Sequence, residues 1–370
     1  MDPQIRPNVL KMTPYSPGKP IAEVKRELGL ERVVKLASNE NPLGPSPKAV
    51  EALKKAAEEA HIYPDGAAHD FRSAAAERFG VPYESVIVGN GSDELIHLLG
   101  LIFLDSADDE IIVGYPSFVR YDAAAHLANA KVVQVPLDSD YRHDLPAMVK
   151  AVSENTKLLF VANPNNPTGT LVTKAEVDAM LRDLPEHVTV ILDEAYYEFA
   201  ANESDFPCSV DYVLEGRNVV GLRTLSKTYG LAGIRLGYGF APAKIADAIN
   251  RAREPFNVNS LAQVAGIAAL DDEAHVQRTV ENNRRGLQTL AGAFETIGAK
   301  PYPSFANFVF ADLGQPARPV FQALLERGVI VRPGDVLGAP NCLRVSVGTE
   351  EEIDIFVKAL TEVMAGVGAR

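Results

Sequence analysis

From about residue 84 a regular alternation begins, short β-rich runs with helical stretches between most of them, although the chain carries no internal sequence repeat. The β-rich runs fall at 85–88, 110–113, 131–135, 157–161, 188–192 and 218–222. Helical stretches at 93–104, 117–129, 145–153 and 174–183 separate most of them. Alternation of this kind predicts βαβ units and a mostly parallel sheet. In such a sheet ligands gather beyond the carboxyl ends of the strands.

A chain of 370 residues is longer than one compact core usually covers, so two domains are expected. Long helices at 261–270 and 274–297 follow the alternation. Strands near 307–311, 329–331 and 343–347 and a helix at 350–364 close the chain. This part reads as a second, smaller α+β domain. At the other end, residues 1–46 carry prolines at 3, 7, 14, 17, 20, 42 and 45. Proline fixes φ and lacks an N–H, so 1–46 reads as an irregular, extended arm laid over something else. The first clear helix is expected at 47–60. The expected division is an arm at 1–46 that contributes to the small domain, a large domain at 47–250 and a small C-terminal domain at 251–370.

Charge narrows the partners. A net charge of −13 argues against nucleic acid or an anionic membrane, both of which want a basic face. A few arginines can still make a local pocket for a small anion. The two cysteines, Cys208 and Cys342, sit in no redox or metal-ligand spacing, and the seven histidines form no metal-spaced cluster, so no metal is expected. Residues 1–11 lack the apolar core of a secretory signal, and the longest strongly apolar stretch, 98–104, is too short to span a bilayer. A cytoplasmic protein is the simplest reading.

Four strand ends carry the chemistry. After Val88 comes Gly89-Asn90-Gly91-Ser92-Asp93-Glu94, opening a helix. After Val161 comes Asn163-Pro164-Asn165-Asn166-Pro167-Thr168-Gly169, and after Leu192 comes Asp193-Glu194-Ala195-Tyr196. After Leu222 comes Arg223-Thr224-Leu225-Ser226-Lys227, with Arg235 eight residues beyond the lysine. Each alone has an ordinary reading as a turn, a helix cap or a surface charge. Together at one sheet edge they supply a phosphate cradle, an amide, a carboxylate, a phenol, an amine and a guanidinium.

This set, in this order, resembles the fold-type I pyridoxal-phosphate (PLP) aminotransferases, and the resemblance covers essentially the whole chain. Its most specific pieces are Asn166-Pro167-Thr168-Gly169, Asp193-x-x-Tyr196 and Ser226-Lys227 followed by Arg235. The stretch from Leu36 to Pro47, Tyr63-Pro64-Asp65, Pro255 to Ser260 and Leu343 to Thr349 are similar to one branch, the histidinol-phosphate aminotransferases. The implied fold is α/β, a fold-type I PLP-dependent transferase.

The resemblance and the chemistry assign roles together. PLP is an electron sink that the protein must hold, orient and tune. Lys227 is expected to form the Schiff base and to move the proton. Asp193 is expected to pair with the pyridine nitrogen, favouring both charged forms. Tyr196 and Asn166 match the family positions that donate to the ring hydroxyl. Tyr115, directly after a strand, is expected to stack on the pyridine face. The phosphate is expected at the backbone N–H groups of Ser92 and Asp93, the hydroxyls of Thr224 and Ser226, and Arg235. In this family the residue at Tyr63 reaches the phosphate of the neighbouring subunit, which implies a homodimer with shared sites. Arg344 matches the arginine that receives a substrate anion, and Arg332 is expected as a second anion contact. Tyr15 lies on the arm that covers the site in relatives, and Asn39 is expected beside the substrate.

The reaction these expectations describe is amine exchange between L-histidinol phosphate and 2-oxoglutarate, giving imidazole-acetol phosphate and L-glutamate. An aromatic or broad-range amino-acid aminotransferase of the same branch shares every cofactor residue and stands as the alternative. A PLP-dependent decarboxylase and a non-catalytic PLP-fold regulator are more remote.

Overall fold

The computed structural model describes residues 4–12, 14 and 18–367. Short β1 (Val34–Lys35) precedes the strands of the main sheet. These are β2 (Val86–Gly89), β3 (Glu110–Tyr115), β4 (Lys131–Pro136), β5 (Thr156–Ala162), β6 (Thr189–Asp193), β7 (Val219–Thr224) and β8 (Gly237–Phe240). They lie in the order β2-β8-β7-β6-β5-β3-β4. Every pairing is parallel except those of β8, which runs against both β2 and β7. Six carboxyl ends and the start of β8 therefore share one edge, where Gly237 is in register with both Gly89 and Thr224. The alternation expected from the sequence is present, and the fold is α/β with a mostly parallel central sheet. Strand β8, absent from the sequence reading, is four residues with two glycines, too short and plain to stand out from its neighbours.

The strands read as near-continuous apolar runs because both faces of the sheet are covered. Ile111, Val113, Leu158 and Phe160 enter the core on one face, and Ile112, Leu159 and Val161 that on the other, as the two-residue pleat requires. Each such side chain, fully buried, is worth roughly 1.5–3 kcal/mol of transfer free energy.

A second sheet follows, built from β9 (Lys300–Pro301), β10 (Phe308–Asp312), β12 (Arg332–Pro333) and β13 (Cys342–Ser346), in the order β12-β13-β10-β9. A separate two-stranded ladder joins β1 in parallel to β11 (Val329–Ile330), bringing Val34 and Leu36 into one core with Val345, Phe356 and Leu360. The arm is not irregular throughout: helix Ile21–Leu28 starts after Pro20 and stops at Gly29, whose φ of +65° ends the helical run. Proline is accepted at a helix start because no intrahelical bond needs its N–H there. Helix Ser260–Leu270 buries Ala262, Ala265 and Ala269 against Ala49, Phe71 and Ala75 of the first unit. We therefore propose that the border between the two units falls at Asp271–Asp272, where Asp272 caps the long helix Glu273–Thr296, rather than at 250–251. Among the described residues no helix is long and apolar enough to cross a membrane.

Candidate active site

The anion end of the site is made by close backbone approach. Helix Ser92–Phe103 begins after Gly91, whose φ is +79°. A Cβ on Gly91 would come within 2.5 Å of Arg235 Nη2, and one on Gly237 within 2.1 Å of the Ser92 nitrogen. Glycine at both positions thus lets the helix N-terminus, the arginine and the start of β8 converge. Arg235 itself adopts a left-handed φ of +64° and directs Nη2 to the Asp93 carboxylate at 3.4 Å. The Thr224 hydroxyl donates to Ser226 Oγ at 3.0 Å beside them. N–H groups at a helix start, two hydroxyls and a guanidinium make an anion site suited to phosphate.

At the deep end Asp193 closes β6. It is buried, accepts the Tyr121 hydroxyl on Oδ2 at 2.7 Å and accepts the Ala195 N–H on Oδ1 at 3.1 Å. Burial pushes its carboxyl up to about 6, against the pull of those two donors. Tyr121, which the sequence reading did not single out, is itself fixed by stacking on Phe160 at 4.5 Å between ring centroids. Behind them Glu194 and Arg223 form a fully buried ion pair at 2.8 Å, with the guanidinium 3.3 Å from the centre of the Tyr197 ring. Ser209 donates to Glu194 through both its N–H (2.6 Å) and its hydroxyl (2.8 Å). The pair ties β6 to β7 just behind Asp193. Removing either partner would leave an uncompensated buried charge, a loss of about 3–5 kcal/mol.

Between the two ends lies Lys227. Burial, then the charge of Arg344, bring its ammonium down to about 8, so a useful fraction of the amine is neutral near physiological pH. Its Nζ lies 5.8 Å from the centre of the Tyr196 ring. Arg344 donates from Nη1 to Asn166 Oδ1 at 2.5 Å and from Nη2 to the Ala37 carbonyl at 2.8 Å. The first bond occupies the amide oxygen of Asn166, leaving its nitrogen as a donor. One cavity of about 150 Å³ collects Ser92, Asp93, Asn166, Asp193, Tyr196, Thr224, Ser226, Lys227 and Arg235. A second, of about 420 Å³, shares Phe118 and Asn166 with the first and is lined by Arg332, Arg344 and Pro14. Arg332 and Arg344 are direct cross-strand partners of β12 and β13, so their side chains share a face.

Two expected residues, Tyr115 and Asn39, stand elsewhere. Tyr115 is not over the first cavity: it ends β3, is 45% exposed, and a Cβ on Gly338 would come within 2.8 Å of its hydroxyl. It is still held in the ladder, paired with Pro136, and the pleat sets its direction. Phe118, three residues on and free of the ladder, lines both cavities and packs edge-on against Tyr121. Asn39 lines neither cavity. It is buried, and its side chain is committed to Tyr196 and Ser346. Tyr63 is 79% exposed, stacked on Phe256, and outside both cavities of its own chain. Tyr15 lies outside the described residues.

Comparison with known proteins places this arrangement. Residues 31–360 match the family described as aminotransferase class I and II. The chain belongs to the class I and II aminotransferases. A histidinol-phosphate aminotransferase of Moorella thermoacetica is 49% identical to this aminotransferase over 98% of its chain and 94% of the relative's length. That of Bacillus velezensis is 45% identical over 98% of this chain and all of the relative. Among solved structures, the histidinol-phosphate aminotransferase of Sinorhizobium meliloti in complex with pyridoxal-5'-phosphate superposes with a TM-score of 0.91, at 28% identity over 99% of each chain.

Proposed function

We propose that this aminotransferase exchanges the amine of L-histidinol phosphate with 2-oxoglutarate, giving imidazole-acetol phosphate and L-glutamate, with PLP as cofactor and in the cytoplasm. The curated relatives named above support the substrate. The single observation that carries it is the Arg332–Arg344 pair, side by side at the cavity that adjoins Lys227 and Asp193. One substrate carries a phosphate and the other a second carboxylate. Two adjacent guanidinium forks suit either anion in turn.

The donor set fits PLP. The cradle that a Cβ on Gly91 or Gly237 would fill suits its phosphate, the buried Asp193 carboxylate suits a protonated ring nitrogen, and the Lys227 amine lies between them in the same cavity. When bound, PLP supplies an electron sink that lets an amino group pass between two carbon skeletons. Asp193, disfavoured as a lone buried anion, gains a cationic partner and keeps the ring nitrogen protonated. Tyr121 holds that carboxylate in place. Tyr196 and Asn166 donate to the ring hydroxyl. Phe118 covers the ring face in the place first assigned to Tyr115. Ser92 and Asp93 give backbone N–H groups to the phosphate, Thr224 and Ser226 give hydroxyls, and Arg235 gives its guanidinium. With PLP bound, Lys227 Nζ would take the proton from the amine-bearing carbon of the substrate and hold it for return, its neutral fraction making it a competent base. Both half-reactions use the same site, so the first product leaves before the second substrate binds, and ping-pong kinetics are expected.

We also propose a homodimer in which Tyr63 of the partner subunit completes the phosphate site. Its high exposure and its stacking on Phe256, itself 44% exposed, support a surface that a second copy covers. The deciding experiment is a donor panel on purified protein, comparing histidinol phosphate with phenylalanine and tyrosine, each with 2-oxoglutarate. Preference for histidinol phosphate is expected; equal efficiencies would favour a broad aromatic enzyme.

A further inference from the structure

Asn39 has a left-handed φ of +55°, a conformation uncommon for non-glycine residues but one that asparagine reaches more readily than most. Its N–H donates to Ser346 Oγ at 2.9 Å, and its carbonyl accepts from Asn307 Nδ2 at 3.0 Å. Its side chain sits between two hydroxyls. Ser346 donates to Oδ1 at 2.8 Å, and Nδ2 donates to the Tyr196 oxygen at 2.9 Å. Ser346 Oγ accepts the Asn39 N–H and gives its own proton to the amide oxygen. That orients the amide with its nitrogen towards Tyr196. An NH₂ group only donates. The Tyr196 hydroxyl therefore accepts on that side and keeps its own proton to give elsewhere. Accepting one hydrogen bond also strengthens a hydroxyl as the donor of another.

We infer that Asn39 is a positioning residue rather than a substrate contact: oriented by Ser346, it polarises Tyr196 so that the phenol donates its proton to the ring hydroxyl of the cofactor. The inference rests on the reading of Tyr196 given above. A donor at that oxygen stabilises its ionised form and holds down the pH at which the cofactor chromophore titrates. Loss of the Asn39 amide weakens the donor, and the titration moves up.

The test is a pH titration of the visible absorbance of cofactor-loaded protein. Asn39→Gly removes the side chain while keeping a residue at ease with a positive φ and both backbone hydrogen bonds. It is expected to raise the chromophore's apparent pKa by roughly half a pH unit to one unit. Ser346→Ala, which frees the amide to turn, is expected to raise it by less. Tyr196→Phe is expected to raise it further, and adding Asn39→Gly to Tyr196→Phe is expected to change nothing more. The inference is overturned if Asn39→Gly leaves the titration in place while Tyr196→Phe moves it. It is equally overturned if Asn39→Gly acts as strongly without the phenol as with it. No movement in Tyr196→Phe itself would overturn the reading of Tyr196 and the inference together.

Discussion

Asp193→Asn in the cofactor-free protein measures what the fold loses by burying this carboxylate alone. Burial raises the group from 3.8 to about 6. A folded value above the unfolded one means that the folded state holds the proton more tightly. Below about pH 4 both states carry it and stability is unaffected. As pH rises from about 4 to about 6 the unfolded chain gives up this proton while the folded one still holds it, so stability falls, and it levels off above about 6, where the fold keeps a buried anion with no cationic partner. Between about pH 4.5 and pH 7 the loss integrates to about 2 kcal/mol. Asparagine has no such proton, so the variant escapes this loss. At roughly 2 cal/mol/K of unfolding entropy per residue over a chain of this length, the gap in Tm should shift by about 2–3 °C in the variant's favour across that range. Asparagine also leaves either Tyr121 or Ala195 without an acceptor, which lowers Tm at every pH. That offset does not alter the slope. The assay is scanning calorimetry of both cofactor-free proteins across the range. Adding PLP to the wild type should flatten its profile, since the ring nitrogen then neutralises the carboxylate. Parallel Tm–pH profiles for the two cofactor-free proteins would refute the reasoning.

Lys227→Ala should lose transamination, the yellow colour and the borohydride-trapped adduct, and a trapped adduct on another lysine would reassign the anchor. Arg332→Ala should lower kcat/KM for histidinol phosphate by roughly 10²-fold, the equivalent of a few kcal/mol, while changing that for phenylalanine much less. Similar losses for both donors in steady-state assays would remove Arg332 from substrate choice. Mixing inactive Tyr63→Ala with inactive Lys227→Ala should restore activity through heterodimers with one whole site, and subunit exchange seen by mass without activity would exclude a shared site.

Much of this protein was legible in the sequence because much of it is local. The strand–helix alternation reflects periodicities of two and 3.6 residues that any window of the chain displays. Strand ends are marked by the same windows, and Ser92, Asp193, Thr224 and Lys227 stand at them or just beyond. A parallel sheet with covered faces leaves such ends at one edge, so order along the chain predicted neighbours in space. What needed the tertiary structure were pairings between distant segments and the direction of single side chains. Tyr121 meets Asp193 across 72 residues, and Asn39 meets Ser346 across 307, and no local pattern marks either bond. Tyr115 and Phe118 look alike as aromatics after a strand. Only the ladder, which still grips Tyr115 and has released Phe118, decides which one lines the cavity. Arg332 and Arg344 become neighbours only through the register of β12 on β13. Register and rotamer are settled by many weak contacts acting at once across the folded chain, and those contacts do not exist until it folds.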